Sequence, residues 1–193
     1  RPVSSDPDGT LLSRHYVLDS GAEVAVLDLV RVPVIEHTPE AHQPENWRVS
    51  GATWKHSGQL SGAKAKRFLR DHVTPGDEIF GNRSDRVSWE RLTDSPGRSS
   101  LALVEPRDLR WQITTSMRGN RQTRALFTLG DALYNLSVTD PVWASRLHHL
   151  DIGTHPLTAG GLSGTEDLFL TLSLGEPFHG DCYKLVAAVI VVP

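Results

Sequence analysis

Arginines crowd one short stretch of this chain. Arg107, Arg110, Arg118, Arg121 and Arg124 follow each other closely, and Asp108 is the one acid among them. A guanidinium presents a planar fork of N–H donors that matches two phosphate oxygens at once. Trp111 lies inside the stretch and Trp54 elsewhere, and an indole face stacks on a nucleobase. These residue types point to a phosphate-bearing ligand, either single-stranded nucleic acid or a nucleotide. The competing reading is a solvated hairpin whose charges keep an exposed edge from pairing. Lys64, Lys66, Arg67 and Arg70 form a second basic run, which either extends that surface or is a solvated helix face.

Other constellations carry less. His148, His149, Asp151 and His155 offer imidazole and carboxylate but lack the spacing of zinc sites, so no metal and no cofactor are assigned. In His179-Gly180-Asp181-Cys182 an imidazole stands near the single cysteine. A thiol must be deprotonated to attack, and Cys182 opens an apolar stretch, which suits a buried structural thiol. The Gly-rich segment 158–164 lacks the lysine of a phosphate-binding loop and the spacing of a dinucleotide fingerprint, and reads as a flexible connection. No nucleophile elbow and no zinc-protease helix occur.

The elements that must position these residues are mostly strands. Alternation predicts strands over 109–117, 123–129, 132–138 and 168–174, with Gly130-Asp131 joining two of them as a hairpin. Residues 101–104 and 182–192 read as further strands. Residues 23–34, apolar on both faces, read as a central strand, and 47–55 as another. One helix is expected after Ser61, with Ala65, Phe68, Leu69 and His72 on one face. Short helical turns are expected near Trp89 and Leu92 and from Pro141 to Leu147. Many short strands with little helix imply a barrel or a sandwich.

Composition sets the outer limits. The chain has 193 residues, 38% hydrophobic and 22% charged, with a net charge of −3. That supports a packed core and excludes a disordered chain or a histone-like polycation. One cysteine excludes an intrachain disulfide, and no apolar run approaches the roughly 20 residues of a membrane span. The single cysteine and the absence of a recognisable targeting signal both suit a reducing cytoplasm. The opening Arg1-Pro2-Val3-Ser4 enters directly into what reads as mid-domain sequence, so an upstream segment is expected.

Several phrases together resemble one family. Pro44-Glu45-Asn46-Trp47 follows a strand, Thr139-Asp140-Pro141 follows a hairpin, and Ser173-Leu174-Gly175-Glu176-Pro177-Phe178 leads into Cys182-Tyr183-Lys184-Leu185. With Arg1-Pro2-Val3-Ser4, this order and spacing resemble the bacterial dual OB-containing domain family. The resemblance implies an all-β dominated fold of two OB-like barrels in tandem with one or two short helices. It also implies a setting in bacterial conflict or anti-phage gene clusters. It divides the chain into a first OB-like half over 1–98, lacking its first strands and carrying the basic helix, and a second over 99–193. It marks Glu45, Asn46, Asp140, Glu176 and Lys184 as motif residues without assigning them chemistry.

Three functions follow. The first is a non-enzymatic module that binds nucleic acid or a nucleotide, through Arg107, Arg110, Trp111, Arg118, Arg121 and Arg124, with Lys64 and Arg67 extending the surface. The second is an adaptor for a protein partner from the same gene cluster. The third is an enzyme on nucleotides or nucleic acid using Asp140, Glu176 or His179, whose bland alternatives are a helix cap at Asp140 and a turn at Glu176-Pro177. No membrane partner is expected.

Overall fold

A computed structural model describes residues 1–6, 9–95, 97–116 and 119–193. The first half contains β1 (Pro2–Val3), α1 (Ser13–Tyr16), β2 (Asp28–Arg31), β3 (Val34–His37), β4 (Trp47–Val49), β5 (Lys55–Gln59), α2 (Gly62–Asp71), β6 (Arg86–Ser88) and α3 (Trp89–Asp94). The second contains β7 (Leu101–Val104), β8 (Arg107–Thr115), β9 (Arg121–Leu129), β10 (Ala132–Val138), α4 (Pro141–Arg146) and β11 (Gly153–Pro156). A 3-10 turn (Leu157–Gly160) then leads to β12 (Asp167–Phe178) and β13 (Asp181–Val192). No helix among the described residues is long and apolar enough to cross a membrane.

Period-two burial builds the large sheet. Leu109, Trp111 and Ile113 of β8, Ala125, Phe127 and Leu129 of β9, and Tyr134 and Leu136 of β10 enter one core. Strand order is β11-β8-β9-β10-β13-β12-β7, with β6 also paired to β13. The pairs are antiparallel except β10 with β13, which run parallel through Ser137↔Leu185 and Val138↔Val186. The hydrogen-bonded path stays open. Yet β7 and β8 are separated only by Glu105-Pro106, and β7 pairs with β12 while β8 pairs with β9. One bent stretch of chain thus spans both sides of the sheet, and Pro106, lacking an N–H, marks the bend.

One end of the core is covered by α4. Asp140 caps it, with Oδ1 accepting from the Val142 and Trp143 amides at 2.9 and 3.2 Å. Trp143 stacks on Trp111 with centroids 5.0 Å apart and planes 27° apart. Leu168, Leu170 and Leu172 of β12 face this core, whereas Phe169 faces the other way, under Ala65 and Leu69 of α2. A bulge shifts the β12–β13 register after Thr171, so Val186 and Val189 both reach the main core although they are three residues apart.

The first half is built from shorter pieces. β4 lies between β1 and β3, and β2 pairs with β5. Leu18, Val49 and Trp54 form a small core there. The central strand expected over 23–34 is instead two short strands in different sheets. Leu27 has φ +71° and Pro33 cannot donate to a ladder, so the run is interrupted at each, on either side of β2, and Val26 and Val34 are exposed. Residues 47–55 likewise divide between β4 and β5, with buried Trp54 between them.

Candidate functional site

The arginines of the β8–β9 hairpin are not all on one wall. Register pairs Arg107 with Thr128 and Arg110 with Leu126, so β8 carries one extra residue there. Asp108 takes φ +54° at this bulge, a conformation Asp tolerates better than most residues. The bulge keeps Arg107 and Arg110 on the outer face despite their odd spacing, and Arg124 shares that face opposite Gln112. Arg121 belongs by alternation to the other face and reaches the Leu150 carbonyl from the strand end. Arg118 lies outside the described residues.

Trp111 corrects the sequence reading. It is 0% exposed, its indole N–H donates to the Leu157 carbonyl at 3.2 Å, and its face is covered by Trp143. Alternation puts it in the core, so it presents no stacking surface. Trp54 is buried as well. The exposed aromatics beside Arg124 are Phe178 and half-buried Tyr183, at either side of the β12–β13 turn. Their signal in the sequence was two aromatics flanking a His-Gly turn inside the family-like phrase.

Arg124 is the best-held cation of the hairpin. Its Nε donates to Asn135 Oδ1 at 2.6 Å, one terminal nitrogen to Ser137 Oγ at 2.9 Å, and the other to the Asn135 carbonyl at 2.6 Å. Asn135 is steadied in turn by its own amide, which donates to Gln112 Oε1 at 3.0 Å. Every one of these acceptors is neutral. Burial lowers the Arg124 pKa, and Asp85 opposes the shift from a distance. An arginine stays protonated regardless. The guanidinium borders two grooves, about 410 Å³ toward Tyr183 and Phe178 and about 330 Å³ toward Arg83 and Leu133.

The remaining cations divide by partner. Arg107 donates to the Gly130 carbonyl at 2.7 Å and borders a separate groove beside Thr74 and Pro75. Arg86 lies over the Tyr183 ring at 5.5 Å and pairs with Asp181 at 3.4 Å and Asp85 at 3.5 Å. On α2, Lys66 and Arg70 pair with Asp167 and Arg70 also with Glu105, while Arg67 lies 3.8 Å from Asp71. Lys64 and Arg67 stand on the exposed side of a helix that packs against β12 and β13, and they line neither groove beside Arg124.

The motif residues are mostly structural. Both oxygens of Glu45 accept from the buried Ser100 amide, at 2.9 and 3.0 Å, and Oε1 also takes the Ser100 hydroxyl. Beyond capping α4, Asp140 accepts the Val189 amide through Oδ2 at 2.9 Å, so both of its oxygens hold backbone amides. Lys184 is buried, with Nζ donating to the Asn82 carbonyl and Oδ1, both at 2.8 Å. Burial lowers its pKa to about 8. Cys182 is fully buried, and burial, with Glu176 and Asp181 adding, pushes the thiol up to about 11, the opposite of an activated nucleophile. Gly160 is no flexible link. A Cβ there would come within 2.8 Å of Trp143 and 3.1 Å of Trp111.

Asn46 and Glu176 do meet. Asn46 Nδ2 donates to Gln43 Oε1 at 2.9 Å, and Gln43 Nε2 donates to Glu176 Oε1 at 3.2 Å. All three line a polar cavity of about 430 Å³, which Pro2, Val3 and Ser4 also border. Three distant phrases of the sequence thus converge on one hollow. Beside it lies His42, which sequence reading passed over because Glu176 is brought to it from distant β12, while Glu40 stands on its own loop. His149 and His155 are occupied by the backbone carbonyls of Arg146 and Asp151.

A family model described as the dual OB-containing domain matches residues 1–189. No curated protein and no solved structure matches the chain.

Proposed function

The chain belongs to the dual OB-containing domain family, and we propose that it is a non-enzymatic module binding single-stranded nucleic acid or a nucleotide in the cytoplasm. Its setting would be the bacterial conflict or anti-phage systems that the family resemblance implies. OB modules bind oligonucleotides on the face of their second and third strands and on the adjoining loops. On this reading β9 and β10 of the β8-β9-β10 meander serve as those strands, and the β12–β13 turn borders the same groove.

The observation that carries this reading is Arg124. A cation oriented by three neutral acceptors keeps its full charge for an anion in the groove, and its geometry is set before any ligand arrives. Arg110 shares the face, and Tyr183 and Phe178 supply π-surface at the groove's end. Stacking on one aromatic is worth roughly 1–3 kcal/mol per base.

Fluorescence anisotropy with labelled single-stranded DNA, single-stranded RNA, duplexes and ATP tests it. Binding to single strands should weaken steeply between about 50 and 200 mM salt. Arg124→Ala should weaken it about tenfold or more, Arg124→Lys less, because a charged hydrogen bond contributes roughly 1.5–3 kcal/mol. Absence of binding at the lowest salt, or unchanged binding in Arg124→Ala, would remove the reading.

One observation favours the adaptor instead. All four residues of β3 are exposed at the edge of its sheet, Ile35 to 64%, beside half-exposed Trp47. An apolar edge strand accepts another strand. A co-purifying protein lost on Ile35→Lys, with no oligonucleotide affinity, would decide for it.

A further inference from the structure

We propose that Glu40, His42 and Glu176 form a binding site for a divalent first-row metal ion, with Zn²⁺ the best fit. This goes beyond the oligonucleotide reading and uses none of its residues. The site starts from a tight turn in the loop between β3 and β4. Glu40 and Gln43 exchange backbone hydrogen bonds of 3.1 and 3.0 Å, which places Glu40 and His42 on the same small loop. Glu176 comes from β12, where a register shift between Leu174 and Pro177 breaks the ladder. Bulges of this kind re-aim side chains.

His42 is the informative residue. It is 1% exposed, and neither ring nitrogen has a hydrogen-bond partner among the described residues. Buried polar groups are almost always paired, and an orphan of this kind calls for an explanation. Its Nε2 lies 3.1 Å from Glu176 Oε2 and its Nδ1 lies 3.6 Å from Glu40 Oε2, neither in hydrogen-bond geometry. An imidazole gives one nitrogen to one ion, and the Nε2–Glu176 separation is that of two donors each about 2.0–2.2 Å from it. One ligand atom from each of the three residues falls within 4.8 Å of the others. The two glutamates are more than half exposed, and Glu40, which faces Nδ1, closes the set by turning its carboxylate toward the Nε2 side.

The donor chemistry selects the ion. One imidazole with two carboxylates is a zinc-type set, harder than thiolate sites and softer than the all-oxygen cages of Ca²⁺ or Mg²⁺. Three protein donors leave a coordination position open. Glu40 and Glu176 also line the cavity of about 430 Å³, with Asn46 and Arg48 on its walls. Asn46 Oδ1 is a second buried acceptor without a partner there. A water or a small anionic group suits the open position.

The competing account is a charged imidazole held between two carboxylates with no ion. Calorimetric titration of the chelator-treated 193-residue chain with ZnCl₂ and with MnCl₂ separates the two. One equivalent of Zn²⁺ should bind, more tightly than Mn²⁺, and Co²⁺ should give a visible ligand-field band. Glu40→Gln and Glu176→Gln, both at side chains more than half exposed, should each weaken Zn²⁺ binding about tenfold or more. Zn²⁺ should raise the melting temperature of the wild-type chain and not of these variants. His149→Ala, a surface control, should bind as the wild type does. No saturable binding, or equal affinity in the wild type and both glutamine variants, would overturn the site. His42→Gln is a supporting variant, and where it fails to fold the two glutamate variants decide alone.

Discussion

Lys184 is a buried ammonium whose nearest partners are uncharged oxygens of Asn82 and the face of Tyr134. Desolvation is the main cause of its lowered pKa, about 8 against an ordinary 10.5. Between those values the unfolded chain holds a proton that the folded chain has released. Stability attributable to Lys184 therefore rises with pH across that window. Cys182 works in the opposite sense. Its folded-state value of about 11 lies above the ordinary 9.0, so the folded chain holds the extra proton and stability falls between them. Urea midpoints from pH 7 to 10.5 in a Cys182→Ala background should rise relative to Cys182→Ala/Lys184→Met. Parallel curves for the two would show that the ammonium is not desolvated.

Elements here are placed by what covers them. The α4 helix is only six residues long, too short to be stable alone, and holds because Trp143 and Leu147 close one end of the core. The 3-10 turn after β11 makes room for that closure, since Gly160 passes directly beneath Trp143, Trp111 and Leu147. Gly160→Ala should cost roughly 1–3 kcal/mol through overpacking, read as a shift of the denaturation midpoint together with altered tryptophan fluorescence. A neutral substitution would mean that the stacked indoles yield without cost. The hairpin shows a second case of placement. Arg107, Arg110 and Arg124 share a face because one bulge at Asp108 resets the alternation.

The two halves of the whole chain share their packing. The first half lends β6 to the large sheet, α2 covers Phe169 and Ile190, and Leu92 of α3 packs with Leu174 and Cys182. Glu45 ties the β3–β4 loop to the start of β7 through the buried Ser100 amide. The chain should therefore unfold in one cooperative transition. Glu45→Ala should lower its free energy by roughly 1–3 kcal/mol without splitting it, because a buried amide loses its acceptor. Two separate transitions by circular dichroism and fluorescence would show the halves to be independent.

Strand type and the inward faces of β8, β9, β10 and β12 were legible in the sequence, because burial on a pleated strand repeats every two residues. The cap at Asp140 was legible too, since capping is local chemistry between a side chain and the next turn. The short strands of the first half were not, because Leu27 and Pro33 break an apolar run that alternation alone joins together. Trp111 lies by alternation on the inward face of β8, and the arginines around it outweighed that pattern in the sequence, whereas in the structure Trp143 covers the ring. His42 has only Glu40 beside it in the sequence, too little by itself to mark a site. Its relation to Glu176 spans most of the chain, and a contact of that kind exists only after the backbone has closed on itself.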